Sequence, residues 1–501
     1  MKEVITLQFG EQANYVGTHY WNMMQAAVLF GANMQTQYPM DMDTLYCEQP
    51  GLLDSAQREH QAYAPRALIF DKVGNFGSLD DQDTDANKRK ADQEEGTQWG
   101  SGAQQTEVYR QPLYSRRPIS DVHESNIRFW SDYAELNYHP RTLNSVSGVE
   151  FGNSLGQMNT FQEGQGVFAG ENSREDVLEG RMREFAEECD QIQGFQVLAD
   201  AYGGFAGYAS AYMEKVREEF PKTTIALYNV SGSTVESMEV AHQMDAAISL
   251  ATALELGVPM VVPLFAPSHM GRLRPGIDVR SGLFQNSAFL AMNVAQWSHP
   301  LLTRVRSLDE IIDQTTQQQY FRLAESLLAP GIHIEEGAKF EQLGGLLGSQ
   351  FVACSAVEVG AVERLAGQLF VDRGTALTRV VSERYDRSAY LDCKSPVALS
   401  RSFPPIFRGI SSNGKRTTDL SAQNAHQNAH QNAQPAISPE RPESVGVAGL
   451  LCTTTGSTKF VEKLHYSLKT ERSKHLKDYE RESIREFRYT LDSTIDKYSS
   501  I

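Results

Sequence analysis

The residues of this chain with the most obvious chemical use are glycines. Gly203, Gly204 and Gly207 lie in the run Tyr202-Gly-Gly-Phe-Ala-Gly-Tyr208, between a branched apolar segment and a helical one. Backbone N–H groups at the start of a helix form an anion site where small residues let a phosphate approach. Tyr202, Phe205 and Tyr208 surround these glycines with bulk, so close strand-to-helix packing accounts for them as well as a phosphate does. A second run, Gly409-Ile-Ser-Ser-Asn-Gly-Lys415, spells seven positions of a P-loop, but Arg416 stands where a Ser or Thr must hold magnesium. Phe403-Pro404-Pro405 precedes it where a central strand is required, and the match is read as coincidence. His426 and His430 have the spacing of helical metal ligands. They sit inside the repeat QNAHQNAHQNAQ without an acidic or cysteine companion, so no metal is assigned to them. The chain contains no H-E-x-x-H and no G-x-S-x-G stretch.

The glycine turn needs elements to position it. Phe195 to Leu198 reads as a strand, the segment after the glycines as a helix to about Glu219, and Thr224 to Tyr228 as a second strand. Strand, glycine turn, helix, strand within roughly 35 residues is a βαβ pattern and implies a parallel sheet. A further helix, about Val240 to Leu256, precedes the apolar run that starts at Gly257. Upstream, Leu178, Met182, Phe185, Cys189 and Ile192 step by helical intervals and predict an amphipathic helix. Near the start, Glu3 to Gln8 is a β-run stopped by Gly10, and a helical pattern with Val16, Tyr20, Met23 and Met24 on one face follows from Asn14. Ala67 to Phe70 is another strand, leading directly into Asp71.

Two stretches lack the means to build a core. Asp80 to Glu95 carries seven acids and three bases in sixteen residues, which predicts a solvated insertion at about 80–96. Ser411 to Ser444 is polar and repetitive and is expected to be disordered. Order is expected again from Val445, first as a β-stretch to Cys452 and finally as a helix from about Glu482. On that helix Ile484, Phe487, Leu491, Ile495 and Tyr498 form an apolar stripe suited to packing on the body.

Composition bounds the function. At 501 residues the chain has room for roughly two to four domains. A net charge of −17 excludes a general nucleic-acid binder, which needs a basic surface. Five scattered cysteines (Cys47, Cys189, Cys354, Cys393, Cys452) form neither a disulfide framework nor a clustered zinc site, and suit a reducing compartment. The most apolar run, Gly257 to Pro267, has 11 residues and three prolines, against about 20 for a membrane span. The first 25 residues hold two Glu and no Arg or Ser, so neither a secretory signal nor a transit peptide is expected. A soluble intracellular protein, acting on any organelle from outside, is the expectation.

Taken together these pieces resemble tubulin. MKEVITLQFGEQANYVGTHYW is similar to the tubulin start, with Gly10, Asn14, Gly17 and Trp21 in matching places. Ala64 to Asp71 resembles its second strand and acidic end, and Ala186 to Gln196 the stretch before its phosphate-binding signature loop. Val445 to Thr458, two helices and the close at Asp496-Lys497-Tyr498 resemble its ending. The finer resemblance is to the Misato family of tubulin-like proteins, carried by THYWNMM, FWSDYAELNYHPRTL (Phe129 to Leu143), FAEECDQIQGFQVLAD with YGGFAG, and RSFPPIF (Arg401 to Phe407). The WSDY…HPR stretch has no tubulin counterpart.

The resemblance implies an α/β fold: a parallel-sheet nucleotide-binding-type domain (1–264), a second, intermediate α/β domain (265–410), the low-complexity insertion (411–444), and a last strand with C-terminal helices (445–501). It places a remnant nucleotide pocket at Gly10, Asn14, Asp71, Gly203, Gly204 and Gly207. The departures bear on its use. The family loop reads three glycines, threonine, glycine, serine, glycine; here three of the five glycines and both hydroxyls are replaced. Each lost hydrogen bond to a charged group is worth about 1.5–3 kcal/mol. Ala13 replaces a glycine and Glu11 a glutamine, Val73 stands where tubulin has a glutamate near the magnesium, and Glu255 lies out of register with the acid offered to the next subunit. The acidic tail after the last tubulin helix also has no counterpart before Ile501. The expectation is a non-polymerising scaffold without GTP hydrolysis, without cofactor or metal, involved in mitochondrial distribution, morphology and inheritance. The expected partners are proteins of the mitochondrial surface, tubulin or chaperonin, with the protein peripheral on mitochondria and in the cytoplasm. The alternatives are a GTPase that binds GTP and magnesium through the same residues, and a factor assisting tubulin and chaperonin.

Overall fold

Short apolar runs separated by helical patterns build one large parallel sheet. The computed structural model describes residues 2–33, 40–53, 59–79, 124–136, 138–150, 158–170, 180–266, 282–316, 318–330, 352–353, 389–392, 397–407, 444–445, 447–453, 456–469, 479 and 481–499. Its strands are β1 (Glu3–Phe9), β2 (Tyr46–Leu53), β3 (Glu59–Pro65), β4 (Ala67–Val73), β5 (Leu143–Glu150), β6 (Ile192–Asp200), β7 (Thr224–Ser231) and β8 (Met260–Phe265). Then come β9 (Glu325–Pro330), β10 (Val352–Ala353), β11 (Ala389–Asp392), β12 (Val397–Ala398), β13 (Ser444–Val445) and β14 (Val447–Cys452). The helices are α1 (Glu11–Asn33), α2 (Phe161–Gly170), α3 (Arg183–Glu187), α4 (Gly204–Glu219), α5 (Val240–Glu255), α6 (Leu283–Leu302), α7 (Leu308–Thr316), α8 (Gly456–Lys469) and α9 (Arg481–Ser499).

Six strands pair in parallel in the order β5-β4-β1-β6-β7-β8. Every residue of β1, β7 and β8 is buried. A parallel sheet carries helices on both faces, and its strands therefore read as nearly unbroken apolar runs. One face is covered by α1 and α6, with Tyr20, Trp21, Phe289 and Trp297 in the core. The other is covered by α2, α4 and α5, where Phe9 and Phe70 stack at 4.7 Å and Tyr212 of α4 tilts over both.

A second, antiparallel sheet runs β10-β9-β14-β11. The strand after the long polar run thus returns to pair with β9, Val447 opposite Pro330 and Cys452 opposite Glu325. The stripe on α9 packs against the body as its spacing predicts. Leu491 and Tyr498 are buried, and Ile484, Phe487 and Ile495 are partly buried against the same core. The Tyr498 hydroxyl accepts from the Leu323 N–H at 2.6 Å and donates to the Leu323 carbonyl at 2.8 Å.

The helix read through Leu178 to Ile192 ends earlier than its period predicts. Among the described residues α-helix covers Arg183–Glu187, continuing a π-helical turn over 180–182, and Ile192 already opens β6. Pairing of Glu3 with Ile192 in the sheet overrides the local helical period there. The acidic run at 80–95, the glycine run 409–415 and the polar run 411–443 with His426 and His430 lie outside the described residues.

Candidate functional site

Strand order assembles the site. Because β4 and β6 flank β1 on opposite sides, their C-terminal ends bring Asp71, Gly10 and Asp200 to one place. In open parallel sheets such a reversal of strand order leaves a crevice between the outgoing loops. Four of the six residues singled out in the sequence, Gly10, Asn14, Asp71 and Gly203, stand around it. Gly204 and Gly207 belong to the first turn of α4.

Asp71 is fully buried and its carboxylate is saturated. Oδ2 accepts from Asn14 Nδ2 and from Trp130 Nε1, each at 2.8 Å; Oδ1 accepts from the Lys72 N–H and from Asn75 Nδ2, also at 2.8 Å. Burial raises its pKa, and the four hydrogen bonds oppose that rise. Trp130 comes from the segment FWSDYAELNYHPRTL (Phe129 to Leu143). That segment makes a 3-10 turn at Trp130–Tyr133, stabilised by Asp132, whose carboxylate accepts from the N–H groups of Arg128 and Phe129. It is tied to α1 by the Tyr133 hydroxyl on the Tyr15 carbonyl and by Asn22, which donates to the Tyr133 carbonyl and accepts from the Glu135 N–H. Ser402 of the RSFPPIF segment joins them, donating its N–H to Glu135 and receiving a bond from Asn22. Three stretches that are separate in sequence are therefore one buried unit.

A carboxylate stands where the first loop meets α1. Gly10, at φ +95°, turns the chain from β1 into the helix. Asp200, at the end of β6, places Oδ1 at 2.8 Å from the Ala13 N–H in the first turn. A Cβ on Gly10 would lie 2.4 Å from Asp200 Oδ2, so the glycine is required by this side chain as well as by its own φ. Burial pushes the Asp200 pKa well up, and repulsion from Asp71 and Glu11 adds to it. Glu11 is raised in the same way, by burial and then by Asp71, with Lys72 in opposition. Asp200 was not singled out in the sequence, although an acid at a strand end directly before a glycine turn is a legible signal.

The glycines of the second loop are packing residues in this geometry. Gly203 has φ +77° and caps α4. A Cβ on Gly204 would meet Met158 Cγ at 2.1 Å and the Met158 carbonyl at 2.4 Å; one on Gly207 would meet the Phe161 carbonyl at 1.8 Å. On the opposing helix, a Cβ on Gly164 would meet the Gly204 carbonyl at 1.7 Å. Helices α2 and α4 therefore touch backbone to backbone. Tyr202 lays its ring on His242 of α5, centroids 4.4 Å apart, and its hydroxyl is hydrogen-bonded with the side chains of Gln12 and Ser233. Gln12 in turn accepts from the Gly232 N–H at 2.8 Å, so one tyrosine links the loops after β1, β6 and β7.

Asp245 of α5 completes this layer. Its carboxyl takes hydrogen bonds from the backbone of Phe161 and Gly203; burial pushes its pKa up to about 7 despite them, with Glu163 adding repulsion. A pKa raised on folding stabilises fully below the unfolded value near 3.9 and is lost as pH rises through about 7. Asp245→Asn is expected to flatten the fall of unfolding free energy between pH 4 and 7.5, measured by urea titration at each pH. An unchanged slope would remove Asp245 as its source.

Glu255 lies at the far end of α5, where Thr490 of α9 donates to it at 2.7 Å. Among the described residues, no group of three or more His, Cys, Asp and Glu is arranged to hold a metal ion, and no helix is long and apolar enough to cross a membrane.

Comparison with known proteins agrees with the geometry. Residues 2–123 match the Misato segment II tubulin-like domain, and residues 119–301 match a tubulin domain. The chain belongs to the Misato family of tubulin-like proteins. Among similar members, protein dml1 of Aspergillus clavatus is 28% identical over 317 residues, 61% of each chain. Protein dml1 of Aspergillus oryzae is 28% identical over 282 residues, 54% of this chain and 55% of its own. Protein misato of Drosophila melanogaster is 30% identical over 263 residues, 45% of this chain and 44% of its own. The matches thus span about three fifths or less of the relatives' lengths. In this Misato-family chain the tubulin-type sheet is kept, and its loop ends are bonded to side chains of the same molecule.

Proposed function

We propose that this protein is a non-polymerising, catalytically silent tubulin-like scaffold. In this reading it serves mitochondrial distribution, morphology and partitioning, including inheritance of mitochondrial DNA, from the cytosolic face of the organelle and from the cytoplasm. The observation that supports a silent site is the use of its polar groups within the chain. Asp71 carries four internal donors, the Ala13 N–H is taken by Asp200, and Tyr202 lies across the loops. Mg-GTP does not fit this set: a triphosphate at the start of α1 would stand against Asp200 and Glu11, and a magnesium-bound water would have to displace a donor from Asp71. The mitochondrial role rests on membership of the family, and the partners it calls for are proteins of the mitochondrial surface, tubulin or chaperonin.

The test is calorimetry of the purified full-length chain with Mg-GTP and Mg-GDP, together with analysis of nucleotide released on denaturation. No released nucleotide and no heat at millimolar ligand is the expected result. Stoichiometric nucleotide or micromolar binding would overturn the scaffold reading in favour of a GTPase. Recovery of tubulin or chaperonin subunits in a pull-down would assign the scaffold to tubulin assembly.

A further inference from the structure

We infer that the groove between the end of α5 and the outer face of α9 docks a basic segment of a partner protein, taking one of its arginine side chains. This gives the scaffold a partner of stated chemistry and rests on that reading.

The groove has a volume of about 520 Å³ and is lined by Glu255, Glu482, Arg485, Glu486, Tyr489 and Thr490. Glu255 ends α5, about 20 Å along that helix from His242 and the Tyr202 ring. Its carboxylate is fixed by the Thr490 hydroxyl at 2.7 Å. On α9, Glu482, Glu486 and Tyr489 step by four and three and share one face, turned away from the buried stripe through Phe487, Leu491 and Tyr498. Tyr489 is 75% exposed, an aromatic ring held out among carboxylates.

Charge sets the kind of partner. Three glutamates and one arginine line the groove, and all four are exposed. Elsewhere on these two C-terminal helices Lys463 is paired with Glu236 and His465 with Asp492; Glu482, Arg485 and Glu486 form no such pair among the described residues. The end of α5 adds to the negative potential. A helix C-terminus is a negative pole; no residue in the last turn of α5 is basic, and the cation that reaches it is Arg322, on the Leu254 carbonyl. An arginine matches this set better than a lysine, because a planar guanidinium stacks on a tyrosine face while its edge donates to carboxylates. Arg485, four residues before Tyr489 on the same helix, competes for the same groups.

Fluorescence anisotropy of the full-length chain tests this, with a labelled alanine peptide carrying three arginines and its three-lysine counterpart as probes at constant ionic strength. The arginine peptide is expected to bind more tightly. Tyr489→Ala, Glu486→Gln and Glu255→Gln should each weaken it about threefold, and Arg485→Gln should strengthen it. Glu214→Gln, at an exposed acid of α4, removes the same charge elsewhere and should change nothing. Because the substituted side chains are exposed, urea midpoints should stay at the natural value. Equal binding by all variants, equal binding of the two peptides, or a dimer of the protein that Tyr489→Ala dissolves would overturn the inference. Loss of peptide binding without nucleotide binding removes only this inference; nucleotide binding to the chain removes the scaffold reading on which it rests.

Discussion

Trp130→Ala is expected to cost the fold about 4 kcal/mol, within the range for removing a large aromatic side chain from a core. Trp130 is fully buried, meets Phe76 edge-on at 5.6 Å and Tyr138 at 6.5 Å, and donates to Asp71 Oδ2. The loss has two parts, a cavity and a buried carboxylate short of one donor. Trp130→Phe separates them. It keeps a six-membered aromatic ring and removes the N–H with the remainder of the indole, so the expected loss is at least that of a bond to a charged group, about 1.5–3 kcal/mol, with a smaller cavity than in the alanine variant. Urea titration of the three proteins reads both. If Trp130→Phe matches the natural protein, the bond to Asp71 does not hold this region, and the account of a saturated carboxylate fails.

The second large effect is expected at a residue that the phosphate reading would also call essential. Gly207→Ala should destabilise by about 3 kcal/mol or more, at or beyond the upper end for overpacking. The added methyl would meet the Phe161 carbonyl at 1.8 Å and the Gln165 N–H at 3.1 Å, and backbone cannot swing aside as a flexible side chain can. Gly166, two residues beyond Gly164 on α2, is the internal control. A Cβ there meets nothing within 4 Å, so Gly166→Ala should be neutral or stabilise by up to about 1 kcal/mol through helix propensity. Denaturation midpoints of the two variants decide the matter. A phosphate cradle predicts a stable Gly207→Ala protein that differs only in ligand binding; a packing contact predicts an unstable one without any ligand.

Much of the nucleotide-binding-type half was legible residue by residue. The strand that ends at Gly10, the strand into Asp71, the helix from the glycine turn to Glu219 and the helix from Val240 are found where their periodicity places them. Each is long and strongly patterned, and each is covered on one or both faces by the same core. The stretch before β6 was misread beyond Glu187, because sheet pairing decides residues that a helical period claims equally well. The glycine turn was legible as a close approach of backbone, but its two uses differ only in what approaches, a phosphate or a neighbouring helix.

By itself the sequence determined the strands β1, β4, β6 and β7, the helices α4, α5 and α9 with their apolar faces, and the glycine turn between β6 and α4. Those depend on residues a few positions apart, whose spacing sets which face they share. Only the tertiary structure decided what fills the spaces between elements. Asp200 reaches Ala13 across 187 residues, Trp130 reaches Asp71 across 59, and α2 supplies the backbone that Gly204 and Gly207 accommodate. Nothing in the local pattern of either partner marks such a pair, because the bond exists only after the parallel crossovers have set β4, β1 and β6 side by side.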